Sequence, residues 1–314
     1  MSGFDLVALG EVAVDLILAG VDKIPRRWSE LGRVRDAGIF AAGSAGYVAQ
    51  CFAKLGGRAA IVGRISDDNA GRIVIEGFHQ CGVSTGNLAV DKTVQTEVST
   101  VIVYNDGNKA SVVSQIPPLR LAKLEMSCLE GARAFHIGGY LVLPDLWGKS
   151  MLRWIRRAKR EGALVSLDPQ MSATGAWSEA FEGVLENLDV LLLDEVEAKK
   201  ISRRKRVLDA VETLLRAGCL VVAVKAGKKG CIVGERGRIL SIPPFKTKPT
   251  STIGAGDAFD AAFIHGCLQN WSVEKIARFS NVVAALSTTK LGCMTAIPRA
   301  EIAEETTEAY YRDR

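Results

Sequence analysis

The segment with the most chemical promise runs Thr250-Ser251-Thr252-Ile253-Gly254-Ala255-Gly256-Asp257-Ala258-Phe259. Glycines at 254 and 256 open backbone paths closed to other residues, and apolar residues at 259, 262, 263 and 266 follow at helical spacing. Asp257 is therefore expected in the first turn of a buried helix, whose free N–H groups point back over the Gly254-Ala255-Gly256 turn. Oriented amides and the helix dipole make such an end an anion site. A carboxylate beside a phosphate-binding turn can take the proton of an attacking hydroxyl. Spacing alone leaves a plainer reading open, a Gly-rich turn followed by an acidic cap.

Thr252-Ile253-Gly254-Ala255-Gly256-Asp257-Ala258-Phe259 matches all but the first residue of the signature Asp-Thr-x-Gly-Ala-Gly-Asp-x-Phe. In this the chain resembles the ribokinase-like, or PfkB, family of carbohydrate kinases, and the resemblance extends over nearly its whole length. It implies an ATP- and Mg²⁺-dependent transfer of phosphate to a hydroxyl of a sugar or related polyol. Asp257 would be the base, and the amides of Gly254, Ala255 and Gly256 the anion hole. Gly10-Glu11-x-x-x-Asp15 is similar to the family's first strand, whose Asp binds substrate hydroxyls; a carboxylate suits a diol because it accepts two hydrogen bonds. Gly63-Arg64-Ile65-Ser66-Asp67-Asp68-x-x-Gly71 resembles a structural stretch.

The same resemblance places the nucleotide. Asp194-Glu195-Val196-Glu197 stands where the family has Asn-Glu-x-Glu, whose last Glu orders the water shell of Mg²⁺; magnesium keeps several waters and needs few protein carboxylates. Asp194 in place of Asn adds negative charge beside the nucleotide. Lys225-Ala226-Gly227-Lys228-Lys229-Gly230 resembles the turn under the nucleotide, with Gly227 and Gly230 permitting close approach and Lys225 adding charge. It is not a Walker A loop, because that spacing is absent. Asn281 falls on the helix that lines the adenine pocket in the family, and Gly292 where a carbonyl contributes to a monovalent-cation site.

Two departures matter. Ser251 replaces the signature's Asp, a position that helps hold K⁺, so potassium stimulation is expected to be weak. The other signature, Gly-Gly-x-x-x-Asn, reads Ala42-Gly43-Ser44-Ala45-Gly46-Tyr47 here. Gly43 stays in the acceptor site, but Tyr47 takes the place of an Asn that contacts the acceptor. A tyrosine turned away would merely fill space beneath the lid; a tyrosine facing the acceptor predicts a substrate with an apolar or planar face, or one missing the hydroxyl that the Asn would bind. A nucleoside kinase of the same fold is thus one alternative, the ring stacking on a base. A non-catalytic sugar- or nucleotide-binding homologue is another, although a binder has no need of Asp257.

The elements that must position these residues are also legible. Short β-rich runs, Ala59–Val62, Ala134–Ile137, Leu164–Leu167, Val190–Leu193 and Leu220–Val224, alternate with helical patterns such as Ala45–Leu55, Leu146–Glu161 and Val207–Ala217. Continuous Val/Ile/Leu strands are buried on both faces, which predicts an α/β fold with a doubly wound, mostly parallel sheet flanked by helices. Residues 15–40 and 88–114 lack long helices and are expected to form a small β-lid on a single 1–314 domain, with a hairpin turn at Asp106-Gly107. The sequence leaves the oligomeric state open, a homodimer through this lid being one arrangement.

Composition narrows the classes. The 314 residues are 48% hydrophobic and 24% charged, enough for a sizeable core. Leu6–Ala19 is interrupted by Glu11 and Asp15 and reads as neither signal peptide nor membrane anchor, so a cytoplasmic protein is expected. Seven scattered cysteines and three histidines favour neither disulfides nor a histidine-rich metal site. A net charge of +5 suits an anionic small ligand and is too small and dispersed for nucleic acid; the basic run Arg203–Arg206 reads as a solvated face.

Overall fold

The computed structural model describes residues 3–105, 109–120, 124–171 and 175–312. In chain order the first elements are β1 (Leu6–Gly10), β2 (Ala13–Val21), β3 (Asp36–Ala42), α1 (Ser44–Lys54), β4 (Ala59–Ile65), α2 (Asn69–Gln80) and β5 (Ser84–Val90). Next come β6 (Glu97–Tyr104), β7 (Lys109–Val113), β8 (Ala134–Gly138), α3 (Lys149–Arg160), β9 (Leu164–Asp168), β10 (Val190–Asp194), α4 (Glu195–Ser202) and α5 (Val207–Arg216). The chain continues through β11 (Val221–Lys225), β12 (Cys231–Glu235), β13 (Arg238–Ile242), α6 (Ala255–Leu268), α7 (Val273–Ser287) and α8 (Ala300–Tyr311).

Successive residues of β1 enter different cores. Leu6 and Ala8 face the layer of α1 and α6, while Val7 and Leu9 face the layer of α3 and α5. A strand with no polar face needs cover on both sides, and the helices supply it with matching stripes. Met151, Trp154, Ile155 and Ala158 of α3 are buried at the spacing of one helical face. The resulting sheet has the order β13-β12-β11-β10-β9-β8-β1-β4-β5, parallel except for β12 and β13. From β1 the chain builds outward to β4 and β5, then returns to β8 on the other flank. Such a reversal opens a crevice beyond the carboxyl ends of the strands, where α/β folds bind ligands.

A second sheet has the order β3-β2-β6-β7. Its β6 alternates, with Glu97, Ser99, Val101 and Val103 buried and the residues between them more open. Ile17, Ala19, Val101 and Val103 form its core. The strands extend beyond the expected 15–40 segment at both ends, and the second segment starts later than residue 88. Leu88, Ala89 and Val90 pair with Gly63, Arg64 and Ile65 at the edge of the large sheet, where Leu88 packs partly against the core and Val90 stays exposed. The β6 and β7 strands pair antiparallel; the turn expected at Asp106-Gly107 lies outside the described residues. Asp68 links the two sheets, capping α2 through the Gly71 N–H (2.7 Å) and accepting the Thr96 N–H just before β6 (2.9 Å). No helix among the described residues is long and apolar enough to cross a membrane.

Candidate active site

Helix α6 starts from Gly254, whose φ of 74° is left-handed and whose missing Cβ would lie 2.5 Å from the Cβ of Cys293. Only glycine fits both conditions. Asp257 is the third residue of this helix and is partly exposed. The Ala255 N–H reaches back to the Thr252 carbonyl (3.4 Å), while those of Gly256 and Asp257 have no backbone acceptor among the described residues. These are the free donors that a helix start presents.

The β1–β2 corner and the start of α1 meet Asp257 from the other side. Gly43, at φ 90°, has no room for a Cβ, which would lie 2.4 Å from the Glu11 carbonyl oxygen. That contact brings Ser44 forward. Its Oγ–H donates to Asp257 Oδ1 (3.1 Å) and its N–H to Glu11 Oε2 (3.0 Å). Burial pushes the Asp257 carboxyl up to about 7, with Asp168 adding to the rise and Lys225 and Ser44 opposing it. A base poised there is half-ionised near neutrality, the range in which general bases work best.

Behind Asp257 lies a buried ionic cluster. Lys225 Nζ donates to Asp168 Oδ2 (2.6 Å) and to both oxygens of Asp260 (3.0 and 3.1 Å). The cluster touches the anion turn, since a Cβ on Gly256 would lie 3.6 Å from Lys225 Nζ. Burial works to raise Asp168, but Lys225 and Asp260 overcome it and hold the carboxyl at about 2. Burial drives Asp260 well above the usual range. Lys225, expected to add charge at the nucleotide turn, donates to these two side chains. Asp168 and Asp260 escaped the sequence reading. Asp260 had a local signal, since it follows Asp257 by one helical turn.

Of the residues expected to place the nucleotide, Asp194 and Lys225 pair in register at the carboxyl ends of β10 and β11. Asp194 caps α4 by accepting the Val196 and Glu197 N–H groups (both 2.7 Å), and Glu197 Oε2 accepts the Asp194 N–H in return (2.6 Å). Burial, with Asp168 beside it, pushes Glu197 up to about 8. Gly227 and Gly230, both at positive φ, bound a tight turn closed by Gly230 N–H to the Gly227 carbonyl (3.0 Å). Asn281 is buried, its amide donating to the Pro243 carbonyl (3.1 Å). Ser251 is buried, with its Oγ accepting the Ile253 N–H (3.3 Å). The Gly292 carbonyl already accepts the N–H (3.0 Å) and hydroxyl (2.7 Å) of Thr295.

The acceptor side holds a correction. Of the two placements open to Tyr47, a ring facing the acceptor and a ring turned away to fill space, its 4% exposure favours the second. Its hydroxyl donates to Asp15 Oδ2 (2.7 Å), and the ring fills the space beside Gly254. A phenol seeks a buried carboxylate because an unpaired hydroxyl is costly there, so no ring face is offered for stacking. Burial raises Asp15 to about 6, against hydrogen bonds from Tyr47 and Ser99 that favour its ionised form, while Glu11 adds repulsion. Tyr47→Phe should therefore lower kcat/KM for the acceptor by roughly tenfold or more, equivalent to about 1–3 kcal/mol, with little change in the KM for the phosphate donor. Unchanged acceptor kinetics would separate Tyr47 from acceptor binding.

A family model described as pfkB family carbohydrate kinase matches residues 4–300. Fructokinase-1 of Oryza sativa subsp. japonica is 27% identical over 316 residues, covering 93% of this chain and 94% of that protein. Among solved structures, a ribokinase from Thermotoga maritima superimposes with a TM-score of 0.80 at 24% identity, covering 98% of this chain and 99% of that one. A fructokinase from Xylella fastidiosa, solved with bound ATP, does so at 0.81 and 20% identity, with 98% and 99% covered. At such identities the structural likeness speaks for the fold.

Proposed function

Because the chain belongs to the pfkB family of carbohydrate kinases, we propose that it transfers the γ-phosphate of ATP to a hydroxyl of a sugar or related polyol, with Asp257 as general base. The observation that carries this reading is the meeting of Asp257, the free amides of α6 and the Ser44–Glu11 corner at one point of the crevice. The acceptor lies between Asp15 and Asp257. Asp257 takes the hydroxyl proton as the oxygen attacks, while the Gly256 and Asp257 amides stabilise charge on the phosphoryl group. ATP lies over the Gly227–Gly230 turn; the bound ATP of the Xylella fastidiosa fructokinase supports this donor.

Asp168, Asp260 and Glu197 lie around the single ammonium of Lys225, which holds Asp168 ionised while burial favours the protonated forms of Asp260 and Glu197. No group of three acidic, histidine or cysteine side chains is placed to grip a metal directly among the described residues. That donor set fits Mg²⁺ held through its waters, with Glu197 as the outer partner. When bound, the ion would neutralise charge on the β- and γ-phosphates. A K⁺ site at Ser251 and Gly292 finds little support, since the carbonyl there is already engaged.

The small sheet is the lid that excludes water during transfer. Its exposed Ile39, Val112 and Val113 suit a homodimer through the lid, and a monomeric mass in solution would count against that assembly. A cytoplasmic location belongs to the same reading.

Two measurements test this function. ATP consumption should be stimulated by at least one member of a panel of hexoses, pentoses, sugar acids, inositols and nucleosides. It should require Mg²⁺ and differ little between potassium and sodium buffers; no stimulation by any acceptor would count against the reading. The acceptor kcat/KM should also fall as pH drops below about 7, because protonation removes the base that Asp257 supplies. A flat profile between about pH 5.5 and 8.5, roughly 1.5 units to either side of that value, would contradict the assignment of Asp257.

A further inference from the structure

The acceptor side carries more acid than phosphoryl transfer uses. Glu11, Asp15 and Glu97 are 8, 7 and 2% exposed. Glu97 pairs in register with Ala13, two residues before the Asp15–Ser99 pair, so the small sheet turns Glu97 and Asp15 to the same face. The Glu97 carboxyl lies near enough to those of Glu11 and Asp15 for like charge on them to disfavour its ionised form. Its backbone is pinned from behind, where Thr96 accepts the Ser66 N–H (2.8 Å) and donates to Asp68 (2.9 Å).

The three carboxyls are not equally satisfied. Glu11 Oε2 receives the Ser44 N–H and Asp15 Oδ2 the Tyr47 hydroxyl. Glu97 Oε2 is buried and has no hydrogen-bond partner among the described residues. No Lys or Arg among the described residues forms an ion pair with any of the three. Burial, reinforced by Glu11 and Asp15, pushes Glu97 up to about 10. The cluster therefore keeps a proton for want of a cation. A neutral polyol could donate hydroxyls here but would leave that proton in place. An ammonium group brings three donors together with a positive charge.

We propose that Glu97 is a specificity residue, and that it selects an acceptor bearing a protonated amine near the hydroxyl to be phosphorylated, an amino sugar or amino polyol. The inference deepens the kinase reading and rests on it for the position of the acceptor between Asp15 and Asp257.

Calorimetry tests it on matched pairs: glucosamine against glucose, 1-amino-1-deoxyfructose against fructose, and an aminocyclitol against inositol. Each titration uses the full chain with a non-hydrolysable ATP analogue and Mg²⁺, followed by kcat/KM with ATP. In at least one pair the amine should bind about tenfold or more tightly than its hydroxyl counterpart, the scale of a charge-assisted hydrogen bond. Glu97→Gln, which keeps shape and removes charge, should bring that ratio close to unity. A melting temperature checks that the variant folds, and Glu97→Ala supplies the same ratio where it does not. Equal or weaker binding of the amine in every pair overturns the proposal, as does a preference that survives both substitutions or no binding of either class. An amine preference in binding with no phosphate transferred would sustain this inference and remove the kinase reading.

Discussion

Replacing Asp257 by Asn is expected to lower kcat by about 10² or more while leaving the affinity for ATP nearly unchanged. The amide has almost the same volume, so α6 should keep its start at Gly254 and the Gly256 and Asn side of the turn should still present free N–H groups. What is lost is the basic oxygen. An acceptor hydroxyl must then release its proton to water while it attacks, and the carboxylate that took it at about neutral pH is gone. Ser44 offers no substitute, because its hydroxyl is itself the donor to Asp257 Oδ1. The comparison needs the purified variant with a native melting curve, with initial rates at saturating ATP. Turnover near that of the wild type would remove Asp257 from the proton transfer.

The second large effect is on stability. Lys225→Met should destabilise the fold by about 3–5 kcal/mol, because it leaves buried carboxyls without their cation. Asp260 is fully buried and Asp168 nearly so, and both contact the same ammonium. Methionine fills most of the lysine stem's volume, so packing changes little and the loss isolates the charge. Asp168 is the group most affected, since Lys225 holds it ionised against its burial. Chemical denaturation of wild type and variant measures the difference directly. A midpoint within error of the wild type would mean that water or a proton compensates the cluster.

The legible parts of this site were those whose meaning is local. Asp257 and its glycines are contiguous, and the requirement for a helix start follows from Gly254 and the apolar positions behind it. The parallel sheet was legible because strands such as β1 are apolar on both faces. The acidic supports were harder to see. Asp168 ends an apolar strand like many others, and only the β9–β10–β11 order brings it to Lys225. Glu97 depends on the β2–β6 register, which the sequence does not encode in any short pattern. Tyr47 shows the limit most clearly, since its place at the start of α1 was readable while the direction of its hydroxyl depended on Asp15 from another strand.

The central claim is that phosphate passes from ATP to a carbon-borne hydroxyl through the base at Asp257. Phosphorus NMR of a reaction with the best acceptor of the panel tests it most directly, run in parallel for wild type and Asp257→Asn. The account predicts a phosphate monoester signal that grows as ADP forms with the wild-type chain, and almost none over the same period with the variant. Inorganic phosphate as the sole product, or equal monoester from both proteins, would contradict it.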